Sequence, residues 1–226
     1  MNRLAAYTAN LSLQHVTALK QILQYLARTK NFGITFSKTS NHLHDNFNIF
    51  DGFSDATYAN HDDHKSMSGY VFSAAEGAIT WKSKKQSTIA LSTVQAEYVA
   101  LSEARHEVCW LWNLFKELGY PQQSPTVIKG DNNSSIAMAK NTQFHNWSKH
   151  IANWWHWVRE HTEQKLVTIE NCQDPEQTAD ILTKAILCPK HIKHTSKMGL
   201  SPTWRGVLGG KLYHLVTCWL ALLIAG

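Results

Sequence analysis

The stretch LSTVQAEYVALSEARHEVCWLWNLFKEL, residues 91–118, predicts one long amphipathic helix around which the rest of the chain can fold. Its apolar residues recur at alternating steps of three and four, so they share one helix face. They are Val94, Leu101, Ala104, Val108, Leu111, Phe115 and Leu118. Glu97 falls on the same face, where a carboxylate buried without a partner would be costly. Because a divalent cation is a suitable partner for clustered acids, we expect other acids of the chain to lie near Glu97.

The composition is that of an ordinary globular protein with a mild basic excess. The chain has 226 residues, 43% of them hydrophobic, a net charge of +5 and a pI near 9.0. A basic excess suits a polyanionic partner. The four cysteines have no CxxC spacing, which predicts neither a zinc site nor a disulfide framework and favours a reducing, intracellular setting.

Neither end of the chain predicts a targeting or membrane segment. The N-terminus lacks the apolar core of a signal peptide, so we expect the protein not to be secreted. The apolar run at 212–226 is shorter than the roughly 20 residues that span a bilayer, so no membrane association is expected.

The segments flanking the long helix predict a mixed sheet. Alternating patterns predict strands at 47–56, 68–75, 78–82, 126–131 and 166–172. The first three are joined by tight turns and should be antiparallel, whereas the later two are separated by helices and should be parallel. The fold class is therefore α/β, with a mixed five-stranded sheet flanked by helices.

Further helices, a cap and a basic connection complete the predicted order. Helices are expected at 12–28, 132–140, 150–165 and 190–198, with another opening at Asp174-Pro175 and running through Leu182, and a short strand at 34–37. Ser92 and Gln95 predict a capping box at the start of the long helix. Residues 82–86, KSKKQ, are predicted to connect the hairpin, with its turn at Glu76-Gly77, to that helix.

Four acids stand where a metal site could form. Asp55 and Asp131 are predicted to close strands, Glu97 lies in the first turns of the long helix, and Asp180 lies inside the late helix. Acids at the carboxyl edge of a sheet can converge, and four carboxylates could hold two magnesium ions about 4 Å apart for phosphodiester hydrolysis. From spacing alone, solvated acids or helix caps explain the same residues.

Seven segments around these acids carry a family resemblance. They are GFSDA (52–56), SMSGYVF (66–72), ITWKSKKQSTIALSTVQAEYVAL (79–101), GDNNSSIAMAKN (130–141), FHNWSKHI (144–151), HWVRE (156–160) and TADILTK (178–184). In this order they resemble the ribonuclease H domain of copia-type LTR retrotransposon Pol polyproteins. Residues 15–36 look like the segment that links reverse transcriptase to ribonuclease H. The predicted domains are a connecting-segment remnant at 1–45, a ribonuclease H-like domain at 46–200 and a poorly patterned apolar tail at 201–226.

The resemblance implies an endonuclease that hydrolyses the RNA strand of an RNA–DNA hybrid, with the 2′-hydroxyl marking the RNA. It implies two Mg²⁺ ions, for which Mn²⁺ can substitute, a reverse transcriptase domain of a parent polyprotein as partner, and no small-molecule substrate. The implied metal-binding and catalytic acids are Asp55, Glu97, Asp131 and Asp180, with His145 as a catalytic helper. The implied nucleic-acid contacts are Lys84, Lys85, Gln86, Asn132, Lys149 and His150.

The chain departs from the family pattern near the predicted site. Where the family commonly reads KHIDIRYHF, residues 149–157 read KHIANWWHW, so an acid, an aliphatic and a basic residue are replaced at 152–154. This departure keeps a second interpretation open, in which the chain is a catalytically inactive retrotransposon relic that at most binds nucleic acid. An integrase-like nuclease is a weaker rival because its characteristic sequence words are missing, and a degenerate reading frame that does not fold disagrees with the helix pattern.

Overall fold

The computed structural model describes residues 2–5, 7–37, 50–140 and 166–202. Its strands are β1 (Phe32–Ile34), β2 (Asp51–Thr57), β3 (Met67–Ala74), β4 (Gly77–Lys85), β5 (Thr126–Gly130), β6 (Val167–Asn171) and β7 (Leu200–Pro202). Its helices are α1 (Asn2–Ala5), α2 (Leu13–Arg28), α3 (Thr93–Glu117), α4 (Asn133–Lys140), α5 (Asp180–Thr183) and α6 (Cys188–Lys197), with a 3-10 turn at Asp174–Glu176.

The central sheet has five strands in the order β4-β3-β2-β5-β6. The β4-β3-β2 part is antiparallel, whereas β2 pairs in parallel with β5, and β5 with β6. This confirms the predicted α/β architecture, a mixed five-stranded sheet with three antiparallel and then two parallel strands. The strand order places the carboxyl ends of β2 and β5 side by side, where ligand sites of such sheets form.

Helix α3 packs its apolar face on the sheet, as its periodicity predicts. Leu101, Ala104, Val108 and Leu111 are buried in the core. The predicted face is too long at one end, because Leu118 is 59% exposed at the C-cap.

The predicted capping box at the start of α3 is half formed. The Ser92 side chain accepts a hydrogen bond from the Gln95 backbone N–H, but the Gln95 side chain accepts from the Leu91 N–H instead of that of Ser92. The serine therefore satisfies one otherwise unpaired amide of the first turn.

The β3–β4 hairpin differs from its prediction in both turn and length. The turn residues are Ala75 and Glu76, both with positive φ, at 50° and 65°. Gly77 belongs to β4, where an added Cβ would lie 2.6 Å from Phe36 Cδ1. Strand β4 runs on to Lys85, so the basic residues predicted as a connection are part of the sheet.

The helix predicted to open at Asp174 is interrupted. Only Asp174–Glu176 form a 3-10 turn, and the backbone becomes extended at Gln177, with φ −67° and ψ 94°. A separate helix, α5, begins at Asp180. Asp180 therefore stands at the start of a helix and not inside one.

The N-terminal segment is attached to the end of the described chain. Helix α2 begins after Ser12, which forms a capping box with His15, and Tyr25 packs edge-to-face on His191 of α6. Strand β1, predicted at 34–37, covers 32–34 and pairs antiparallel with β7. The predicted domain boundaries at 45/46 and 200/201 stay predictions, although β7 includes residues on both sides of the second one.

Several predicted segments lie outside the described residues. These are the linker before residue 47 and the first residues of the predicted strand there, the helix at 150–165 and the apolar tail from 203 onward. In the part of the chain that the structure does describe, no helix combines the length and the apolar character that crossing a bilayer requires.

Candidate metal centre

Two of the four predicted acids come from neighbouring parallel strands. Phe53 of β2 lies opposite Lys129 of β5, so continuing this register by two residues brings Asp55 opposite Asp131. Asp55 is buried, with 1% of its surface exposed, and Asp131 directly follows β5 and is partly buried. Asp55 does not close its strand as predicted, because β2 continues to Thr57.

The third acid, Asp180, comes from helix α5, which follows β6 in the chain. It is the first residue of α5 and is fully buried. Its Oδ1 lies 2.8 Å from Lys184 Nζ and its Oδ2 lies 2.5 Å from Lys190 Nζ. Two ammonium groups therefore compensate a carboxylate that would otherwise be buried at high cost.

Together the three aspartates form a compact set of oxygen ligands. One carboxylate oxygen from each of Asp55, Asp131 and Asp180 lies within 4.8 Å of the others. Burial raises the pKa of Asp55 to about 6, and the charges of Asp180 and Asp131 add to this rise. Burial also raises the pKa of Asp131, and Asp180 contributes to that rise.

Glu97 joins this set from helix α3. The Ala56 backbone N–H donates a hydrogen bond to its carboxylate, so Glu97 lies against the residue after Asp55. Burial, followed by the charges of Asp55 and Asp131, raises the pKa of Glu97 to about 9. The four predicted acids are thus brought to one place, although Glu97 is outside the group of three with oxygens within 4.8 Å.

These observations fit a divalent cation. Neighbouring carboxylates with raised pKa values repel one another and are poorly solvated, and a bound cation would relieve both effects. Oxygen ligands of this kind suit Mg²⁺ or Mn²⁺. The residues that could hold such ions are Asp55, Asp131 and Asp180, with Glu97 beside them.

Cys172 lies near the acids without the properties of a ligand or a nucleophile. Burial, followed by the charges of Asp131 and Asp180, raises the pKa of its thiol to about 11. The thiolate is the reactive and metal-binding form of cysteine, so Cys172 stays protonated and inert at neutral pH.

The predicted nucleic-acid contacts in the described residues have different surroundings. Lys84 is exposed on β4, and Lys85 Nζ pairs with Asp63 Oδ2 at 3.0 Å. Asn132 Oδ1 accepts a hydrogen bond from the Ser135 N–H at 3.0 Å and so caps α4. For these three residues, contact with nucleic acid stays a prediction.

Gln86 does not agree with its predicted role. Its side chain is 2% exposed, and its amide Nε2 donates to Ser68 Oγ at 2.8 Å and to the Ala96 carbonyl at 2.9 Å. A side chain used in this way connects β3 to α3 inside the protein and does not reach a nucleic acid. The remaining predicted residues, His145, Lys149 and His150, lie outside the described residues.

Two polar residues of the site were not singled out from the sequence. Thr183 Oγ1 donates a hydrogen bond to Asp55 Oδ2, and the fully buried Gln177 donates from Nε2 to the Ser54 carbonyl at 2.9 Å. Thr183 follows Asp180 by three residues, a helical spacing that could have drawn attention to it. No local signal marks Gln177.

Comparison with known proteins finds relatives among the Pol polyproteins of plant transposons. The chain is 35% identical over 181 residues to a retrovirus-related Pol polyprotein from transposon TNT 1-94 of Nicotiana tabacum, covering 80% of this chain and 13% of that protein. It is 34% identical over 202 residues to the Pol polyprotein from transposon RE1 of Arabidopsis thaliana, covering 89% and 13%. No family model matches the chain.

The chain is therefore a homologue of retrovirus-related Pol polyproteins from plant transposons, which confirms the resemblance seen in the sequence. These matches are consistent with the predicted ribonuclease H domain of a copia-type Pol polyprotein. It spans 13% of the length of the two relatives described above.

A shorter relative and two solved structures are also similar. Secreted RxLR effector protein 161 of Plasmopara viticola is 41% identical over 98 residues, covering 43% of this chain and 65% of that protein. LC11-RNase H1, isolated from compost, has a TM-score of 0.47 and 11% identity, covering 61% of this chain and 94% of that one. The RNase H domain of rv2228c from Mycobacterium tuberculosis has a TM-score of 0.46 and 12% identity, covering 61% and 91%. The two solved structures are similar in fold alone.

Proposed function

We propose that this protein is a divalent-metal-dependent endonuclease that hydrolyses the RNA strand of RNA–DNA hybrids. The observation that carries the proposal is the convergence of Asp55, Asp131 and Asp180, with carboxylate oxygens within 4.8 Å of one another. The homology to Pol polyproteins supports the same reaction, because the sequence resemblance to their ribonuclease H domain implies it.

The residues divide the chemistry between them. Asp55, Asp131 and Asp180 would hold the cations, and Glu97 lies beside them to complete the ligand set. When bound, two divalent ions supply activation of the attacking water and stabilisation of the leaving oxygen. No covalent intermediate is expected, because water is the nucleophile of the proposed hydrolysis.

The proposed activity also implies a substrate, a partner domain and a site of action. A hybrid is a polyanion, and the exposed Lys84 on β4 is available for a phosphate contact. A reverse transcriptase domain of a parent polyprotein would be the natural partner, and an intracellular site of action would be expected. The catalytically inactive relic remains the alternative, and cleavage separates the two.

The test is hydrolysis of a labelled RNA–DNA hybrid by the full chain in Mg²⁺, in Mn²⁺ and in chelator. We expect the RNA strand to be cut in either metal, with 3′-hydroxyl and 5′-phosphate ends, and not in chelator. A DNA duplex and an RNA duplex of the same sequence are the substrate controls.

Two aspartates of β2 provide a matched pair of variants. Asp55→Asn should reduce cutting to the chelator level, because it removes a carboxylate from the cluster. Asp51→Asn should retain cutting, since Asp51 lies at the other end of the strand, 44% exposed, and pairs with Lys129 at 3.0 Å. A folded wild-type protein that cuts in neither metal would leave the inactive relic as the correct description.

A further inference from the structure

The helix that carries Asp180 is too short to hold its own position. Helix α5 has four residues, and isolated helices of this length are not stable. Contacts with the sheet and with the loop after β2 hold it in place: Ser83 Oγ of β4 donates to the Leu182 carbonyl at 2.6 Å, and Asn60 Nδ2 of the loop donates to the Thr183 carbonyl at 3.5 Å. The position of Asp180 therefore depends on how α5 is attached to the sheet.

One attachment ends directly on a carboxylate of the site. The Thr183 hydroxyl, which is buried, donates to Asp55 Oδ2. This bond engages one oxygen of Asp55 and orients its carboxylate. It also joins the last residue of α5 to the residue on β2 whose carboxylate Asp180 must approach.

A second attachment connects the backbones beside the same two acids. The Gln177 amide Nε2 donates to the carbonyl of Ser54, the residue before Asp55, at 2.9 Å. Its Oε1 accepts from the N–H of Ala179, the residue before Asp180, at 3.4 Å. Gln177 is fully buried, so water does not replace these bonds easily.

We propose that Thr183 and Gln177 are positioning residues that set the separation of Asp55 from Asp180, and through it the affinity of the site for divalent cations. This inference rests on the proposed function, because it takes these acids to be the cation ligands. Groups that orient metal ligands without touching the metal commonly change its affinity by about 10–100-fold when they are removed.

Thr183 also packs, and its packing has to be separated from its hydrogen bond. An added Cβ on Gly69 of β3 would lie 2.7 Å from Thr183 Cγ2, so the threonine methyl touches the sheet. Thr183→Val keeps a methyl there and removes the hydroxyl, whereas Thr183→Ser keeps the hydroxyl and removes the methyl. The two variants thus remove one function each.

The experiment measures Mn²⁺ binding to the full chain by the loss of the free-ion electron paramagnetic resonance signal, with thermal unfolding in chelator as the check on folding. We expect Thr183→Val to weaken Mn²⁺ binding by about 10–100-fold and Thr183→Ser to bind within a few-fold of wild type. Gln177→Met, which preserves side-chain length without either hydrogen bond, should also weaken binding.

The outcomes separate this inference from the proposed function. Equal binding by Thr183→Val and wild type, or weakening by Thr183→Ser alone, would overturn the positioning role and leave the nuclease proposal intact. Wild-type protein that does not bind Mn²⁺ would overturn both. Weakened binding by Thr183→Val and Gln177→Met, in a wild-type protein that binds Mn²⁺ but cuts no hybrid, would support the positioning role while the nuclease proposal fails.

Discussion

At the scale of single residues, His194 is a buried group whose protonation opposes folding. It lies in α6 with none of its surface exposed, and its ring nitrogens have no hydrogen-bond partner among the described residues. Burial lowers its pKa to about 4; the charge of Lys190 and smaller contributions from Lys193 and Lys197 act in the same direction, and that of Asp180 opposes them. The folded protein therefore keeps this imidazole neutral.

The sign of the pH dependence of stability follows from the difference between the pKa values of His194 in the unfolded and in the folded chain. The unfolded chain binds the proton near pH 6.5 and the folded chain only near pH 4, so unfolding takes up a proton between these values. We expect His194 by itself to lower the free energy of unfolding as the pH drops from 6.5 to 4, by about 3 kcal/mol, whereas the raised pKa values of Asp55 and Glu97 act in the opposite direction. His194→Leu should remove the His194 contribution and so shift the slope of the pH dependence relative to wild type, and His106→Gln, at an exposed position of α3, should leave the slope unchanged. Urea unfolding in chelator from pH 4 to 8 measures it, and equal slopes for wild type and His194→Leu would contradict the expectation.

At the scale of elements, the contact between β3 and α5 depends on a glycine. An added Cβ on Gly69 would lie 2.7 Å from Thr183 Cγ2 and 2.9 Å from Leu182 Cβ, so it has no room while α5 keeps its place. Gly69→Ala should lower the free energy of unfolding by about 1–3 kcal/mol and also weaken Mn²⁺ binding, because α5 carries Asp180. Gly130→Ala is the matched control for stability, since its added Cβ meets only the Ser54 carbonyl oxygen, at 3.8 Å. If Gly69→Ala unfolds at the same urea concentration as this control, α5 is free to shift and the close contact is unimportant.

At the scale of the whole molecule, residues 32–35 form strand pairing and hydrogen bonds with residues 199–202, at the end of the described chain. Strand β1 pairs with β7, and Thr35 donates from its backbone N–H to the Gly199 carbonyl at 2.9 Å. The Thr35 hydroxyl donates to the same carbonyl at 2.9 Å. The Ser37 N–H donates to the Ala75 carbonyl at 2.9 Å, so the segment also holds the β3–β4 turn.

This attachment can be tested by removing one backbone donor. Thr35→Pro lacks the N–H and should lower the free energy of unfolding by about 1–3 kcal/mol. Thr35→Ala keeps the backbone N–H, loses only the side-chain hydroxyl and methyl, and should lower it by less. Urea denaturation with both variants measures the difference, and the absence of any difference would mean that the backbone hydrogen bond from Thr35 to Gly199 adds nothing to the stability.

Much of the fold could be predicted because its signals are local. The spacing of apolar residues placed α3 within two residues of its observed start and within one of its observed end, and the strand patterns predicted which strands pair antiparallel and which pair in parallel. The acids could be proposed as a group because strand order determines which carboxyl ends meet. Asp55 and Asp131 lie close together for that reason.

The sequence-based predictions were wrong at positions whose structure depends on residues distant along the chain. Lys84 and Lys85 read as a basic connection, but pairing with β3 extends β4 through both of them. Gln86 is predicted to contact nucleic acid, but its amide donates to Ser68 of β3 and to the Ala96 carbonyl of α3 inside the protein. In each case the competing influence is a partner distant in sequence, which periodicity does not reveal.

The sequence alone therefore determined the class of fold, the order of helices and strands along the chain, and the four acids that the family resemblance implies, because spacing and capping act within a few residues. Only the tertiary structure decided that Thr183 binds Asp55 across 128 positions, and that β1 closes on β7 across more than 160. Such contacts depend on which surfaces meet when the chain folds. Their physical origin is the packing of elements far apart in sequence, which no local pattern specifies.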